Sequence, residues 1–176
     1  KRVLITGATG FKGAWLSFWL NKLGSNVCTI GNNPNKNKSL FYGLKLQKKT
    51  RLKILDIRNF SKLDRVVKTF DPQIIFHLAA QPLIFESYKK PKETYEINSL
   101  GTLNLLETCR LYCSNLEKFI HVSTDEVYGE SMLNVNEKHK TEHSILCPTN
   151  PYAATKAGAE LIAQSYNHSF NIPIII

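Results

Sequence analysis

Short apolar runs alternate along the chain with longer mixed segments, and glycine, proline or asparagine stands between them. Arg2-Val-Leu-Ile-Thr6 is almost continuously apolar, as a strand buried on both faces should be. A glycine-rich stretch from Gly7 to Gly13 follows. A helical pattern then reaches about Leu23, with Gly24 at the usual stop. Asn26 to Ile30 predicts the second strand and Gly31 to Asn37 a turn-rich loop. Leu52 to Leu55 predicts the third strand, ended by Asp56. Ser61 is expected to cap a helix that runs through Phe70, where Asp71-Pro72 breaks it. Ile74 to Leu78 predicts a fourth strand, about Thr94 to Tyr112 a helix, and Phe119 to Ser123 a fifth strand. Residues 129 to 151, with Pro148 and Pro151, read as a loop. A last helix is expected from about Tyr152 to Phe170, and a sixth strand from Ile172 to Ile176. Strands alternating with helices predict one α/β domain over residues 1–176, a doubly wound parallel sheet in three layers.

Composition changes this picture little. The 176 residues suffice for one sizeable core, and the apolar and charged fractions are those of a soluble protein. No apolar run approaches the roughly 20 residues that span a bilayer. A secretory signal fits the N-terminus poorly, so a cytoplasmic location and no membrane partner are expected. The net charge of +9 is concentrated in Lys36, Lys38, Lys45, Lys48, Lys49, Arg51 and Lys53, with no acid among them. Without interleaved stacking aromatics, that run reads as a solvated basic face rather than a nucleic-acid site. Cys28, Cys109, Cys113 and Cys147 form no CxxC pair, and Cys109 and Cys113 have no histidine nearby. Reduced thiols and no metal site are expected.

Gly7-Ala-Thr-Gly10-Phe-Lys-Gly13 stands between a strand and a helix. There, glycines let the backbone approach a pyrophosphate, which rests on the N–H groups of the helix N-terminus. This makes a Rossmann-type dinucleotide site the expected use of the turn. Tyr152-Ala-Ala-Thr-Lys156 places a phenol and an ammonium four apart on one helix face. The phenol titrates near ~10 unperturbed, and a neighbouring ammonium lowers that value. Tyr152 could then take a hydroxyl proton while hydride leaves, with Lys156 bonding the nicotinamide ribose. Ser123-Thr-Asp-Glu-Val-Tyr-Gly129 opens at the C-terminal end of the fifth strand, where such sheets keep catalytic groups. Its adjacent carboxylates, Asp125 and Glu126, suit an elimination that needs one acid and one base.

The spacing GxxGxxG resembles extended short-chain dehydrogenases/reductases along the whole chain. That resemblance implies a cofactor held by Gly7, Thr9, Gly10, Phe11 and Gly13, with Asp56 and Ile57 at the adenine. Leu78, Ala79 and Ala80, Asn98, Ser123, Tyr152 and Lys156 would complete the site. An NAD-preferring member should carry an acid after the second strand, where this chain reads Ile30-Gly-Asn-Asn33. Asn32 or Asn33 could bond a ribose hydroxyl; NAD is favoured and NADP remains open. Gly10-Phe-Lys-Gly-Ala-Trp-Leu-Ser17, His77-Leu-Ala-Ala-Gln-Pro-Leu83 and Ser87-Tyr88 with Pro91 resemble CDP-glucose 4,6-dehydratases, which tend to carry Lys where this chain has Glu126. Ser123 to Gly129 and Pro148-Thr-Asn-Pro-Tyr152 through Glu160 resemble TDP- and UDP-glucose 4,6-dehydratases.

These resemblances imply a lyase that converts NDP-glucose to NDP-4-keto-6-deoxyglucose, with NAD recycled. Thr124 would bond the C4 oxygen, Asp125 would be the acid and Glu126 the base. An NDP-sugar 4-epimerase and a non-catalytic dinucleotide-binding module are the alternatives. Family members are nearly twice as long, so the substrate-binding second half is expected to be absent. A homodimer is expected through Leu100, Leu103, Leu106 and Cys109 of one helix and Ala154, Ala157, Leu161 and Ile162 of another.

Overall fold

In the computed structural model, β1 (Arg2–Thr6) is paired in parallel on both edges, with β2 (Asn26–Gly31) and with β4 (Ile74–His77). Its register puts Val3 opposite Val27 on one side and Ile74 on the other. The structure describes residues 1–32, 34, 36–130 and 139–176. Asn33 and part of the predicted 129–151 loop lie outside the described residues. β3 (Arg51–Ile54), β5 (Lys118–His121) and β6 (Ile174–Ile175) complete a six-stranded sheet in the order β3-β2-β1-β4-β5-β6, every pair parallel. The order reverses between β1 and β4, which opens a crevice at the carboxyl ends of those strands.

The alternation of side chains along β1 divides the core in two. Leu4 faces a cluster with Ile75, Leu105, Leu106 and Phe119, beneath α3 (Phe60–Phe70), α6 (Gly101–Tyr112) and α7 (Pro151–Phe170). Val3 and Ile5 face Ala14, Val27, Phe41 and Leu46, beneath α1 (Phe11–Lys22) and α2 (Leu40–Gly43). Leu4, Ile5 and Phe119 are fully buried, worth roughly 1.5–3 kcal/mol each. The expected three-layer α/β Rossmann-type fold is what the chain forms.

Several local expectations differ. The cap of α3 is Asn59, whose side chain accepts from the Lys62 N–H at 3.1 Å, so the helix starts before Ser61. Asn59 outcompetes Ser61 because an N-cap oxygen must reach the N–H three residues on. α4 (Ile84–Lys89) carries no clear apolar period and was not expected. The following helix begins at Pro91 rather than Thr94, with proline at its first position, as α5 (Pro91–Tyr95). One π-turn, Glu96–Leu100, joins α5 to α6. β5 ends at His121, leaving Val122 and Ser123 beyond the ladder. β6 is only two residues long, because Asn171 is left-handed and Pro173 has no N–H to donate.

Among the described residues all four cysteines are free; Cys147 is exposed and the others are buried. The lysines and arginine of the basic run are all exposed. No described helix is long and apolar enough to cross a membrane.

Candidate functional site

The turn after β1 is shaped by three glycines with different demands. Gly7 has φ +68°, and a Cβ there would come within 2.7 Å of the Ala79 nitrogen and the Leu78 carbonyl. A Cβ on Gly13 would approach the Gly7 oxygen to 2.4 Å. Gly10 caps α1 with backbone alone, so no side chain occupies the first turn of N–H groups. A bare, positively polarised helix start beside a turn too tight for a Cβ fits a pyrophosphate. Gly31, not singled out in the sequence, is needed too: its Cβ would meet the Thr9 Oγ1 at 2.5 Å.

These glycines open onto a cleft of about 570 Å³. Thr9, Phe11 and Asn32 line it beside the turn, and Asp56 and Ile57 line the end next to β3. Leu78, Ala79 and Ala80 form the wall from β4, and Ser123, Tyr152 and Lys156 the far wall. Most of the residues expected around a dinucleotide therefore share one cleft. A second hollow, lined by Arg2, Gln73 and Glu117, lies at the opposite, amino-terminal ends of the central strands.

Asn98 does not line the cleft. It is buried, accepts from the Gln81 N–H at 2.8 Å and donates to the Thr155 Oγ1 at 2.8 Å. It therefore pins the chain after β4 to α7 from within the π-turn. Thr124, Asp125 and Glu126 also stand outside the lining. They form a short 3₁₀ turn, Asp125–Tyr128, capped by Thr124. Asp125 is exposed, and the Glu126 carboxylate accepts from the Asn150 amide at 3.0 Å. The Thr124 hydroxyl donates to the Asp125 Oδ1 at 3.3 Å, and the turn lies close enough to Tyr152 for Thr124, Asp125 and Glu126 all to act on its phenol.

Sequence reasoning missed Arg58. Its guanidinium holds the Asp56 carboxylate through Nε at 3.0 Å and Nη2 at 2.6 Å, and stands 3.5 Å from Glu96. The Arg58 hydrogen bonds hold the Asp56 carboxyl below its usual range. The sequence signal was the Asp-x-Arg spacing, which lets an arginine return to a carboxylate two residues earlier.

The expected electrostatics of the Tyr–Lys pair need correction. Burial, and then the Glu126 and Asp125 charges, hold the Tyr152 phenol above its usual value, although the Thr124 side chain opposes them. The Lys156 ammonium donates to the Val122 carbonyl at 2.6 Å. Burial lowers it to about 8, with the nearby Glu160 charge acting the other way. Spacing placed both groups on one face but could not show that a strand-end carbonyl holds the lysine.

The sequence profile of the GDP-mannose 4,6 dehydratase family matches residues 4–176. A CDP-glucose 4,6-dehydratase of Salmonella typhimurium is 38% identical over 98% of this chain and 47% of its own length. A dTDP-D-glucose 4,6-dehydratase of Dictyostelium discoideum is 39% identical over 100% of this chain and 42% of its own. Both alignments span nearly the whole chain. The structure of a UDP-glucuronic acid 4-epimerase from Bacillus cereus, in complex with UDP-glucuronic acid and NAD, superposes with a TM-score of 0.86 at 31% identity. It is covered to 55%, and this chain to 100%. The chain thus spans about half the length of the curated relatives it matches.

Proposed function

The chain belongs to the GDP-mannose 4,6 dehydratase family of sugar-nucleotide short-chain dehydrogenases/reductases, and we propose that it is the cofactor-binding, catalytic half of an NAD-dependent NDP-glucose 4,6-dehydratase. The observation that carries this reading is one cleft running from the glycine turn to Tyr152 and Lys156, with Asp125 and Glu126 on a turn near enough for their charges to act on Tyr152. When bound, NAD would accept hydride from C4 of the sugar and return it to C6. The α1 N-terminus would hold its pyrophosphate and Asp56 and Ile57 its adenine.

Tyr152 takes the O4 proton, with Thr124 bonding the same oxygen. The resulting ketone acidifies the C5 hydrogen. Glu126 takes that proton, Asp125 protonates the departing C6 hydroxyl, which leaves as water, and Glu126 gives its proton back to C5 as hydride returns to C6. Glu126 is half-buried and positioned by Asn150, whereas Asp125 is exposed, as an acid that re-equilibrates with solvent should be. An epimerase needs no such second pair, which favours dehydration over the 4-epimerase reading.

The test is to incubate the full-length protein with CDP-, dTDP- and UDP-glucose and GDP-mannose, and to identify the products by mass spectrometry. A dehydrated 4-keto sugar is expected from one of them. Formation of the C4 epimer alone would overturn the reading in favour of an epimerase. NAD binding without turnover of any sugar would leave the chain a binding module.

The assembly is a homodimer through α6 and α7. Leu100 and Leu161 are 43% and 56% exposed, and Ala154 is exposed beside them. Leu106, Cys109 and Ala157, expected on that face, instead pack inside the chain's own core. We place the protein in the cytoplasm, where buried free thiols such as Cys28 and Cys109 stay reduced.

A further inference from the structure

Tyr152, Lys156 and Glu160 follow one another at four-residue intervals, so α7 presents all three on one face. The mechanism above uses the first two. Glu160 is only 5% exposed and Lys156 only 4%. A buried carboxylate is costly unless it is paired and hydrogen-bonded. It is hydrogen-bonded here: the Ser123 hydroxyl donates to its Oε1. One residue earlier, the Val122 carbonyl accepts from the Lys156 ammonium at 2.6 Å. Consecutive residues beyond β5 are therefore stitched to consecutive turns of α7. Both Val122 and Ser123 line the cofactor cleft.

We propose that Glu160 is a positioning residue for the dehydrogenase step: its buried carboxylate, one turn from Lys156 on the same helix face, holds Ser123 on the wall of the cleft and supports the lysine that is bonded to Val122 beside it. It acts through Lys156 and touches neither substrate nor cofactor. The inference rests on the assignment of Tyr152 and Lys156 to C4 oxidation.

The surroundings of Lys156 leave this task to Glu160. From β5 and β4, His121 and His77 face it, and both lie near enough to interact with its charge; positive charge on either would oppose the ammonium. From the turn after β5, Tyr128 faces Glu160, with Glu142 also acting on that phenol. The Asp125 and Glu126 charges act on Tyr152 instead. Among the described residues Glu160 is thus the carboxylate that favours the charged lysine, against the burial that lowers it to about 8. Near neutral pH that leaves the lysine mostly charged, with little margin.

Loss of the Glu160 charge should lower the Lys156 titration midpoint by about one pH unit or more. A neutral lysine no longer favours the Tyr152 phenolate, so the ascending limb of kcat/KM should move to higher pH. A direct effect of Glu160 on Tyr152 would move that limb the other way, since removing a negative charge makes a phenolate easier to form. The sign of the shift separates the two.

The experiment is NMR titration of the Lys156 side-chain resonance in the full-length protein, wild type against E160Q, E160D and S123A, with the pH profile of kcat/KM alongside. E160Q should lower the lysine midpoint and move the limb to higher pH. E160D, which keeps the charge, should restore both, and S123A should leave the lysine midpoint near wild type. Equal effects of E160Q and E160D, or an unmoved midpoint in a folded E160Q protein, would overturn the proposal. Should E160Q not fold, E160A is read in its place: its lysine midpoint should fall, and an unmoved midpoint in the folded protein overturns the proposal equally. The lysine midpoint is read without turnover, whereas failure of the wild type to dehydrate any sugar bears only on the proposed function.

Discussion

The three glycines of the first turn should separate into two classes when each is replaced by alanine. At Gly7 the backbone is left-handed, which costs an L-residue roughly 1–2 kcal/mol. The added Cβ would also meet the Leu78–Ala79 backbone just after β4 at 2.7 Å, a contact that only movement of that segment relieves. Overpacking of this kind costs about 1–3 kcal/mol, giving about 2–5 kcal/mol in all. Gly13 faces a 2.4 Å approach to the Gly7 oxygen; alanine regains up to about 1 kcal/mol of helix propensity, for a net loss of about 1–2 kcal/mol. Gly10 meets only the Gly7 oxygen, at 3.3 Å, so its Cβ would point into the cleft. At roughly 2–4 °C per kcal/mol for a domain of this size, Gly7→Ala should lower Tm by about 4–20 °C and Gly10→Ala by less than about 2 °C. The order for cofactor affinity should be inverted: a stably folded Gly10→Ala protein should bind NAD at least about tenfold more weakly. Thermal melts and fluorescence titration with NAD give both quantities. A Gly10→Ala protein as unstable as Gly7→Ala, or one that binds NAD normally, would refute the reasoning.

Tyr152→Phe should abolish both NADH formation and dehydration, whereas Glu126→Gln should leave C4 oxidation and slow water loss by about 10²–10⁴-fold, as stopped-flow absorbance and mass spectrometry would show. Arg58→Met should weaken NAD binding by roughly 3–10-fold, since the Asp56 pair is partly exposed and screened; an unchanged Kd would remove Arg58 from the cofactor site. Leu161→Glu should convert the full-length dimer to monomer in sedimentation, and a dimer that persists would place the interface elsewhere.

The central architecture was legible because it rests on periodicity. Continuous apolar runs marked β1, β4 and β5, and the glycine turn fixed which end of the sheet binds ligand. What escaped depends on side chains meeting across sequence. Asn98 has the residue type of a ligand, yet its amide is spent between Gln81 and Thr155. Glu160 meets Ser123 only because the fold brings α7 against the end of β5, 37 residues earlier in the chain. The π-turn at Glu96–Leu100 has no sequence signature, since it differs from an α-turn by a single hydrogen-bond register. Leu106 and Cys109 were assigned to a dimer face because a helix wedged between α3 and α7 needs more than one apolar stripe.

The two buried histidines beneath the cleft give stability a pH dependence that can be traced to one side chain. His77 is bonded at both nitrogens, to Thr6 at 2.7 Å and Thr102 at 2.9 Å. His121 stacks at 5.5 Å from it, and neither of its ring nitrogens has a partner among the described residues. Burial, followed by the Lys156 charge, pushes His121 down to about 3. In the unfolded chain it titrates near ~6.5. Between those values the unfolded state holds a proton that the folded state does not. Stability therefore falls as pH drops below about 6.5, by about 1.4 kcal/mol per unit for this residue. His77, also lowered, adds a similar slope, while Lys156 titrates above this window. Replacing His121 by phenylalanine forfeits no hydrogen bond within the described structure and removes one of the two slopes. Its larger ring costs up to about 1 kcal/mol near pH 8, where the histidine is neutral in both states. The deficit should shrink and then reverse as pH falls toward ~5.5, because only the wild type loses stability through this residue. Urea unfolding at pH values from about 5 to 8 measures the two slopes. Parallel stability curves for His121→Phe and wild type would show that His121 takes up its proton in the folded state, through a partner that its buried position beside His77 does not reveal.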